Sequence, residues 1–239
     1  MGGKMKKNII TGIVLVIFSA SIFAGDVATF VDKGFSEDGK TYVFAQYGRT
    51  DKKYQGWAEI YQVDIEKNDF VSGGVFRTKP SAVTADKHGT EVFEALEAKS
   101  FYYFKNLNLQ KADSDHVLYV CDDPAKKGTD LIEFKDFRKA DDDKTDLFHI
   151  QLVQTVVGSG NNVKSSFYIK LDKKDEAGNV ISSFKIGSPD IVRKGISGYK
   201  IERIMCDKTE TKLIFVVEKI MEDETGVSVR YMIEAAEIK

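Results

Sequence analysis

The sequence predicts a mainly β protein made of antiparallel β-sheets or hairpins, sandwich-like or propeller-blade-like, with one amphipathic helix near residues 90–107. Two observations support this prediction. Most of the chain alternates between apolar and polar residues, which is typical of antiparallel strands with one solvated face. Clusters of turn-forming residues separate the alternating segments, as at Ser36-Glu37-Asp38-Gly39 and Gly158-Ser159-Gly160-Asn161.

The alternating segments predict strands along the whole chain. We expect the apolar members of each segment to face a core and the polar members to face solvent. The segments are residues 41–46, 61–66, 163–171, 213–217 and 227–234. In the last of them, Arg230 and Glu234 are expected to face away from the core.

One stretch has helical spacing instead. Between residues 90 and 107, charged residues separate apolar ones at Val92, Phe93, Leu96, Tyr103, Phe104 and Leu107. This spacing predicts one helix that lies against a sheet. The run Phe101-Tyr102-Tyr103-Phe104 is more typical of a core than of a binding platform. A partner-binding role requires Tyr102 to be exposed beside other aromatic residues.

The first 24 residues predict a signal peptide. Three lysines precede a short apolar run at residues 9–18, and small residues follow before Ala24. The run is shorter than the ~20 residues that a membrane-spanning helix needs. Cleavage would leave residues 25–239, which are predicted to form a single exported β-rich domain, periplasmic or secreted, with no membrane span.

The amino-acid composition excludes some classes of protein. Hydrophobic residues make up 42% of the chain and charged residues 30%, which favours a folded globular protein over a disordered one. Removing the three lysines of the signal peptide from 35 basic residues leaves 32 against 37 acidic residues, a net charge of −5. No nucleic-acid partner is expected, because there is no basic excess to neutralise phosphates.

The sequence contains two cysteines, Cys121 and Cys206. In an oxidising compartment a lone pair is often bridged, and a bridge here would close a long loop. The alternative is two free thiols. The sequence leaves both alternatives open.

Residues 34–41 match the phosphate-loop pattern G-x-x-x-x-G-K-[ST]. A phosphate loop runs into a helix whose N-terminal amides face the phosphates. Here residues 42–48 predict a strand, and Glu37 and Asp38 would direct two carboxylates at the ligand. We therefore interpret the segment as a tight turn with Gly39 at positive φ, and no nucleotide is expected.

No other motif assigns catalytic, cofactor-binding or metal-binding residues, and no cofactor is expected. His88, His116 and His149 share no metal-ligand spacing with each other or with a cysteine. Residues 141–146 are rich in aspartate but lack the glycine and the final glutamate of a calcium loop. Gly158-Ser159-Gly160 is expected in a hairpin loop and not in a nucleophile elbow.

Five segments of the mature chain carry a resemblance to other proteins. They are residues 35–48, 58–64, 158–167, 198–204 and 229–234. Through them the chain resembles a family of predicted secreted bacterial proteins of unknown function, over most of residues 26–238. The resemblance implies export. The family brings no assigned activity and no site residues to transfer.

These features favour an exported, non-enzymatic protein that binds a partner in the envelope or outside the cell. The alternative is a secreted hydrolase that uses carboxylates to cleave glycans or peptides. Two convergent, buried carboxylates in a deep cleft would favour the hydrolase. An exposed apolar patch would favour the binding protein.

Overall fold

The computed structural model describes residues 26–50, 53–123, 127–129, 131–136, 146–223 and 226–238. The predicted signal peptide at residues 1–24 and residues 141–145 of the aspartate-rich run lie outside this part of the chain. Within the described residues, β-strands pair into antiparallel sheets beside one α-helix, which confirms the predicted fold class. That residues 25–239 form a single domain stays a prediction.

The strands follow the alternating segments and add several that the sequence pattern does not reveal. In chain order they are β1 (Thr29–Phe35), β2 (Thr41–Arg49), β3 (Gly56–Asp64), β4 (Asp69–Thr78), β5 (Val117–Val120), β6 (Ile132–Lys135), β7 (Leu147–Val157), β8 (Lys164–Lys174), β9 (Val180–Ile186), β10 (Arg193–Lys194), β11 (Gly198–Cys206), β12 (Lys212–Asp223) and β13 (Gly226–Glu237). The helix α1 spans Gly89–Phe104 and continues as a 3-10 turn over Lys105–Leu107.

The strands form three sheets. Sheet 1 is the meander β1-β2-β3-β4. Sheet 2 has the order β6-β7-β8, and both β9 and β10 pair with the other edge of β8. Sheet 3 has the order β5-β11-β12-β13 and so joins segments that lie far apart in the sequence.

Sheet 3 lies between the other two sheets, and both of its faces are buried. On β12, Leu213, Phe215 and Val217 pack with sheet 2, whereas Ile214 and Val216 pack with sheet 1. All five side chains are 0% exposed. The expectation that this strand has one solvated face is therefore wrong, because a strand in the middle of a stack needs apolar residues at every position.

The helix α1 packs on the outer face of sheet 1 and confirms the helix predicted near residues 90–107. Its buried side chains meet Val43, Ala45, Ala58 and Ile60 of sheet 1. It begins with a capping box, in which the Glu91 carboxylate accepts from the His88 N–H at 2.9 Å and the His88 Nδ1 accepts from the Thr90 N–H. Of the described residues, none belongs to a helix long and apolar enough to cross a membrane.

Candidate functional site

The C-terminal end of α1 carries an exposed aromatic surface. Phe101 is 56% exposed, Tyr102 76% and Tyr103 41%, and we call these three residues the aromatic patch. The Phe101 and Tyr102 rings meet edge to face with their centroids 5.5 Å apart, and Lys105 Nζ lies 5.1 Å from the centroid of Tyr102. The condition set by the sequence for a partner-binding role, exposure of Tyr102 beside other aromatic residues, is therefore met.

Helical periodicity explains why Phe101 and Tyr102 of the aromatic patch face outward. Consecutive helical residues are about 100° apart, so a run of four aromatic residues cannot share one face. The buried side chains of α1 are those of Val92, Phe93, Leu96, Ser100 and Phe104. Phe101 and Tyr102 lie off this stripe. Tyr103 lies on the buried side of the helix, where its hydroxyl donates to Gln62 Oε1 at 3.0 Å and its ring meets that of Phe76, although 41% of the residue is exposed.

A cleft of about 720 Å³ opens beside the aromatic patch, between α1 and sheet 1. Its apolar lining comes from Ile60, Phe101, Phe104 and Leu109. Lys33 and Glu97 also line it and form a partly exposed ion pair. Phe101 therefore belongs both to the aromatic patch and to the wall of the cleft, which makes the two features one continuous apolar surface.

The segment with the phosphate-loop pattern forms the turn between β1 and β2, as predicted, and Gly39 has a φ of 65°. The backbone amides of Gly39, Lys40 and Thr41 donate to the Ser36 carbonyl, Asp38 Oδ1 and Ser36 Oγ, at 2.8, 3.0 and 3.0 Å. A phosphate loop aims such amides at its ligand. Here they hold the turn together.

The Cys121 side chain is half-buried and the Cys206 side chain is buried, and the structure contains no bond between them. The Cys121 N–H donates to the Glu202 carbonyl at 2.8 Å, which places Cys121 four residues along β11 from Cys206. At ~3.3 Å per strand residue this is more than the roughly 7 Å that a disulfide allows between Cα atoms. The strand pairing therefore favours the alternative of two free thiols over a bridge.

We expect iodoacetamide at pH 8 to label Cys121 in the folded protein and to leave Cys206 unmodified. Burial raises the pKa of the Cys206 thiol to about 12, helped by the carboxylates of Glu210 and Asp207, and the thiolate is the reactive form. Mass mapping after labelling, with and without urea, measures this difference. Equal labelling of both thiols in the folded protein, or a linked Cys121–Cys206 peptide under non-reducing conditions, would contradict the expectation.

The three histidines occupy separate elements. His88 caps α1, His116 contacts the Asp113 carboxylate ahead of β5, and His149 on β7 lies 3.1 Å from Glu133 Oε1. Among the described residues, no group of three or more His, Cys, Asp or Glu side chains is arranged to hold a metal ion. Gly158-Ser159-Gly160 falls between β7 and β8, which confirms its place in a hairpin loop.

A pair of buried carboxylates converges elsewhere in the fold. Lys173 Nζ lies 2.8 Å from Asp136 Oδ2 and 2.9 Å from Asp146 Oδ2, and the Asp136 N–H donates to the Asp146 carbonyl. The Asp136 side chain is fully buried. Because the lysine ammonium lies between the two carboxylates, this arrangement is a closed ion-pair network and leaves no room for a substrate between them.

The prediction that the Glu234 side chain faces away from the core is wrong. The sequence predicts that this side chain faces solvent, but it is 5% exposed and lies against a groove of about 670 Å³ where the three sheets meet. Burial raises the pKa of its carboxyl, and a hydrogen bond from Asn68 and the nearby Arg193 guanidinium offset part of that effect. A polar residue on β13 packs inward here because sheet 2 covers that face of the strand.

Within the described residues, the stacked antiparallel sheets and one α-helix define a β-rich protein that carries an exposed aromatic patch. The chain belongs to the family described as predicted secreted protein (DUF2259), which matches residues 43–237. Searches of curated proteins and of solved structures found no match. The family description agrees with the export predicted from the first 24 residues.

Proposed function

We propose that this is an exported, non-enzymatic binding protein that docks a protein partner on the aromatic patch. The observation that carries the proposal is the exposure of Phe101 and Tyr102, side by side, at the mouth of an apolar cleft. Phenylalanine and tyrosine are enriched at protein interfaces, and hot spots cluster where aromatic side chains become fully desolvated.

Three further features support this proposal. Neither Phe101 nor Tyr102 belongs to a core cluster of the described residues. Tyr103 is tied to sheet 1 through Gln62, so the aromatic patch is presented on a rigid element and little entropy is lost on docking. The cleft gives a partner side chain a place beside the exposed rings.

The hydrolase alternative has less support. A glycosidase of the usual kind needs two carboxyl groups that flank the substrate, about 5–10 Å apart. The convergent buried pair, Asp136 and Asp146, is bridged by Lys173. The Glu234 groove offers a single buried carboxyl group among its lining residues.

Loss of both exposed rings is expected to weaken docking at least about tenfold. The mature protein, immobilised, should retain a reproducible partner from envelope fractions or culture medium, and the double variant Phe101→Ser, Tyr102→Ser should retain at least about tenfold less. Truncation of a hot-spot residue costs about 2 kcal/mol or more, which corresponds to more than a tenfold change in affinity. Recovery of the partner from one fraction and not the other would also assign the compartment.

Tyr54→Ser is the matched control. Tyr54 is 58% exposed, and its carbonyl accepts a hydrogen bond from the Asp86 N–H, near the opposite end of α1. This variant should capture the partner as the unmodified protein does. Equal capture by the double variant, or no reproducible partner for the unmodified protein, would overturn the proposed function.

A further inference from the structure

The groove at Glu234 is a second concave surface, separate from the aromatic patch. Its floor is the end of β13, one of the two edge strands of sheet 3. One wall is the β3–β4 turn of sheet 1 with Phe70, and the other is the end of β9 and the loop after it, with Phe184 and Ile191. Phe70 is 45% exposed and Ile191 53%, so the walls present apolar side chains to the opening.

A buried carboxylate and a half-buried guanidinium face this groove together. The side chain of Glu234 is 6% exposed and that of Arg193 22%. Asn68 Nδ2 donates to Glu234 Oε2, but Oε1 accepts no hydrogen bond from the described residues, and Arg193 Nη2 lies 3.8 Å from it. That separation is too long for a hydrogen bond, so Glu234 Oε1 and Arg193 Nη2 both keep hydrogen-bonding capacity, while Arg193 Nη1 donates to the Ile191 carbonyl at 3.4 Å.

The backbone holds the carboxylate in place. Gly187 has a φ of 77°, and a Cβ there would lie 3.0 Å from Glu234 Oε2, so the glycine lets the chain pass directly over the carboxylate. On the other side, Asn68 contacts both the Glu234 side chain and the Ala235 N–H. Glu234 is therefore fixed in the orientation that presents Oε1.

The edge of β13 has one further open group. Its outward-facing amides at Val229, Tyr231 and Ala235 donate to Asp26 O, Gln46 Oε1 and Asn68 Oδ1, at 3.1, 2.7 and 2.7 Å. Alternation along an antiparallel strand makes the Ile233 amide face the same way. It has no such acceptor among the described residues and lies in the lining of the groove.

We propose that this groove binds the N-terminus of a short extended peptide. The α-ammonium group donates to Glu234 Oε1, and the first carbonyl oxygen accepts from Arg193. A later carbonyl accepts from the Ile233 N–H. An α-ammonium nitrogen and the carbonyl oxygen of the same residue, three bonds apart, match a carboxylate and a guanidinium 3.8 Å apart, and each charge on the protein then faces its complement.

The volume of the groove distinguishes a peptide from a free amino acid. At about 670 Å³ it falls within the roughly 300–1,000 Å³ of sites that bury ligands the size of a tri- or tetrapeptide. Apolar side chains of the peptide would contact Phe184 near the charged pair, and Phe70 and Ile191 nearer the opening. The preferred ligand is therefore a peptide with a free N-terminus and apolar first residues.

The test compares three probes by isothermal titration against the mature protein: the tripeptide Leu-Ala-Leu, its N-acetylated form, and free leucine. We expect the tripeptide to bind at least about tenfold more tightly than the acetylated peptide, since a charge-assisted hydrogen bond contributes that much. It should also bind more tightly than leucine. Equal binding of the acetylated peptide, tighter binding of leucine, or no binding of the tripeptide would overturn the proposal.

Two variants locate the site. Glu234→Gln keeps the shape of the side chain and removes its charge, and it should lower tripeptide affinity at least about tenfold. Glu222→Gln changes an exposed carboxylate on β12 that lies outside the lining of the groove, and it should leave affinity within about twofold. Equal effects of the two variants would contradict the assignment to Glu234. Should Glu234→Gln not fold, the probe comparison on the unmodified protein still decides the proposal.

Discussion

Replacing Phe215 with alanine is expected to lower the free energy of unfolding by about 3–5 kcal/mol. Phe215 is 0% exposed and lies in β12, one of the two inner strands of sheet 3, within the core cluster that joins this sheet to sheet 2. Removal of the Phe215 ring leaves a cavity between sheets 2 and 3. The strands of these sheets are held by backbone hydrogen bonds, so they cannot move together to close it. The interior of a stack of three sheets has no solvent-facing side toward which neighbouring side chains could relax.

Urea denaturation of the mature protein, followed by the fluorescence of Trp57 and by circular dichroism, measures this loss. Phe101→Ala is the matched control, because the same ring is removed from a position that is 56% exposed. It should change the free energy of unfolding by less than about 0.5 kcal/mol. Phe215→Leu should cost about 1 kcal/mol and supplies a folded variant should the alanine variant not accumulate. Similar losses for Phe215→Ala and Phe101→Ala would contradict the stacked arrangement.

The same strand shows how far the sequence predicts the fold. Residues 213–217 are five consecutive apolar residues, and such a run is the pattern of a strand buried on both faces. An interpretation based on alternation alone finds the strand but assigns it one solvated face. The central position of sheet 3 depends on packing β12 against sheet 1 on one face and sheet 2 on the other, and both are formed by segments far away in the sequence, so no local pattern contains that information.

The two candidate sites differ in what the sequence reveals. Helical spacing already places Phe101 and Tyr102 off the buried stripe of α1, so their exposure follows from the pattern once the helix is accepted. Glu234 gives no such signal. Its burial requires that the turn at Asn68 and the loop at Gly187 meet over β13, and each belongs to a different sheet. Only the stacking of the sheets brings them together.

Gly34 belongs to the phosphate-loop pattern, but the structure gives a different reason for a glycine at this position. In a true phosphate loop, the need to bind a phosphate closely would explain a glycine at this position. In the structure it has a φ of 106° at a register shift between β1 and β2, next to Phe35, which exchanges backbone hydrogen bonds of 2.9 and 2.8 Å with Gln110. A Cβ on residue 34 would lie 2.4 Å from the Gln110 carbonyl oxygen.

Gly34→Ala is therefore expected to lower the free energy of unfolding by about 2–5 kcal/mol. Positive φ costs an L-residue roughly 1–2 kcal/mol, and overpacking against a backbone that two hydrogen bonds hold in place adds about 1–3 kcal/mol. Gly73→Ala separates the two causes, because Gly73 also has positive φ, at 77°, but a Cβ there meets nothing within 4 Å.

Urea denaturation of the two glycine variants should then show a loss of about 1–2 kcal/mol for Gly73→Ala and a clearly larger one for Gly34→Ala. The excess measures the close approach of β1 to the chain at Gln110. Equal losses would mean that backbone conformation alone requires the glycine. If instead Gly34→Ala were as stable as the unmodified protein, the turn would be free to rearrange, and the structural explanation for the glycine in this motif would fail.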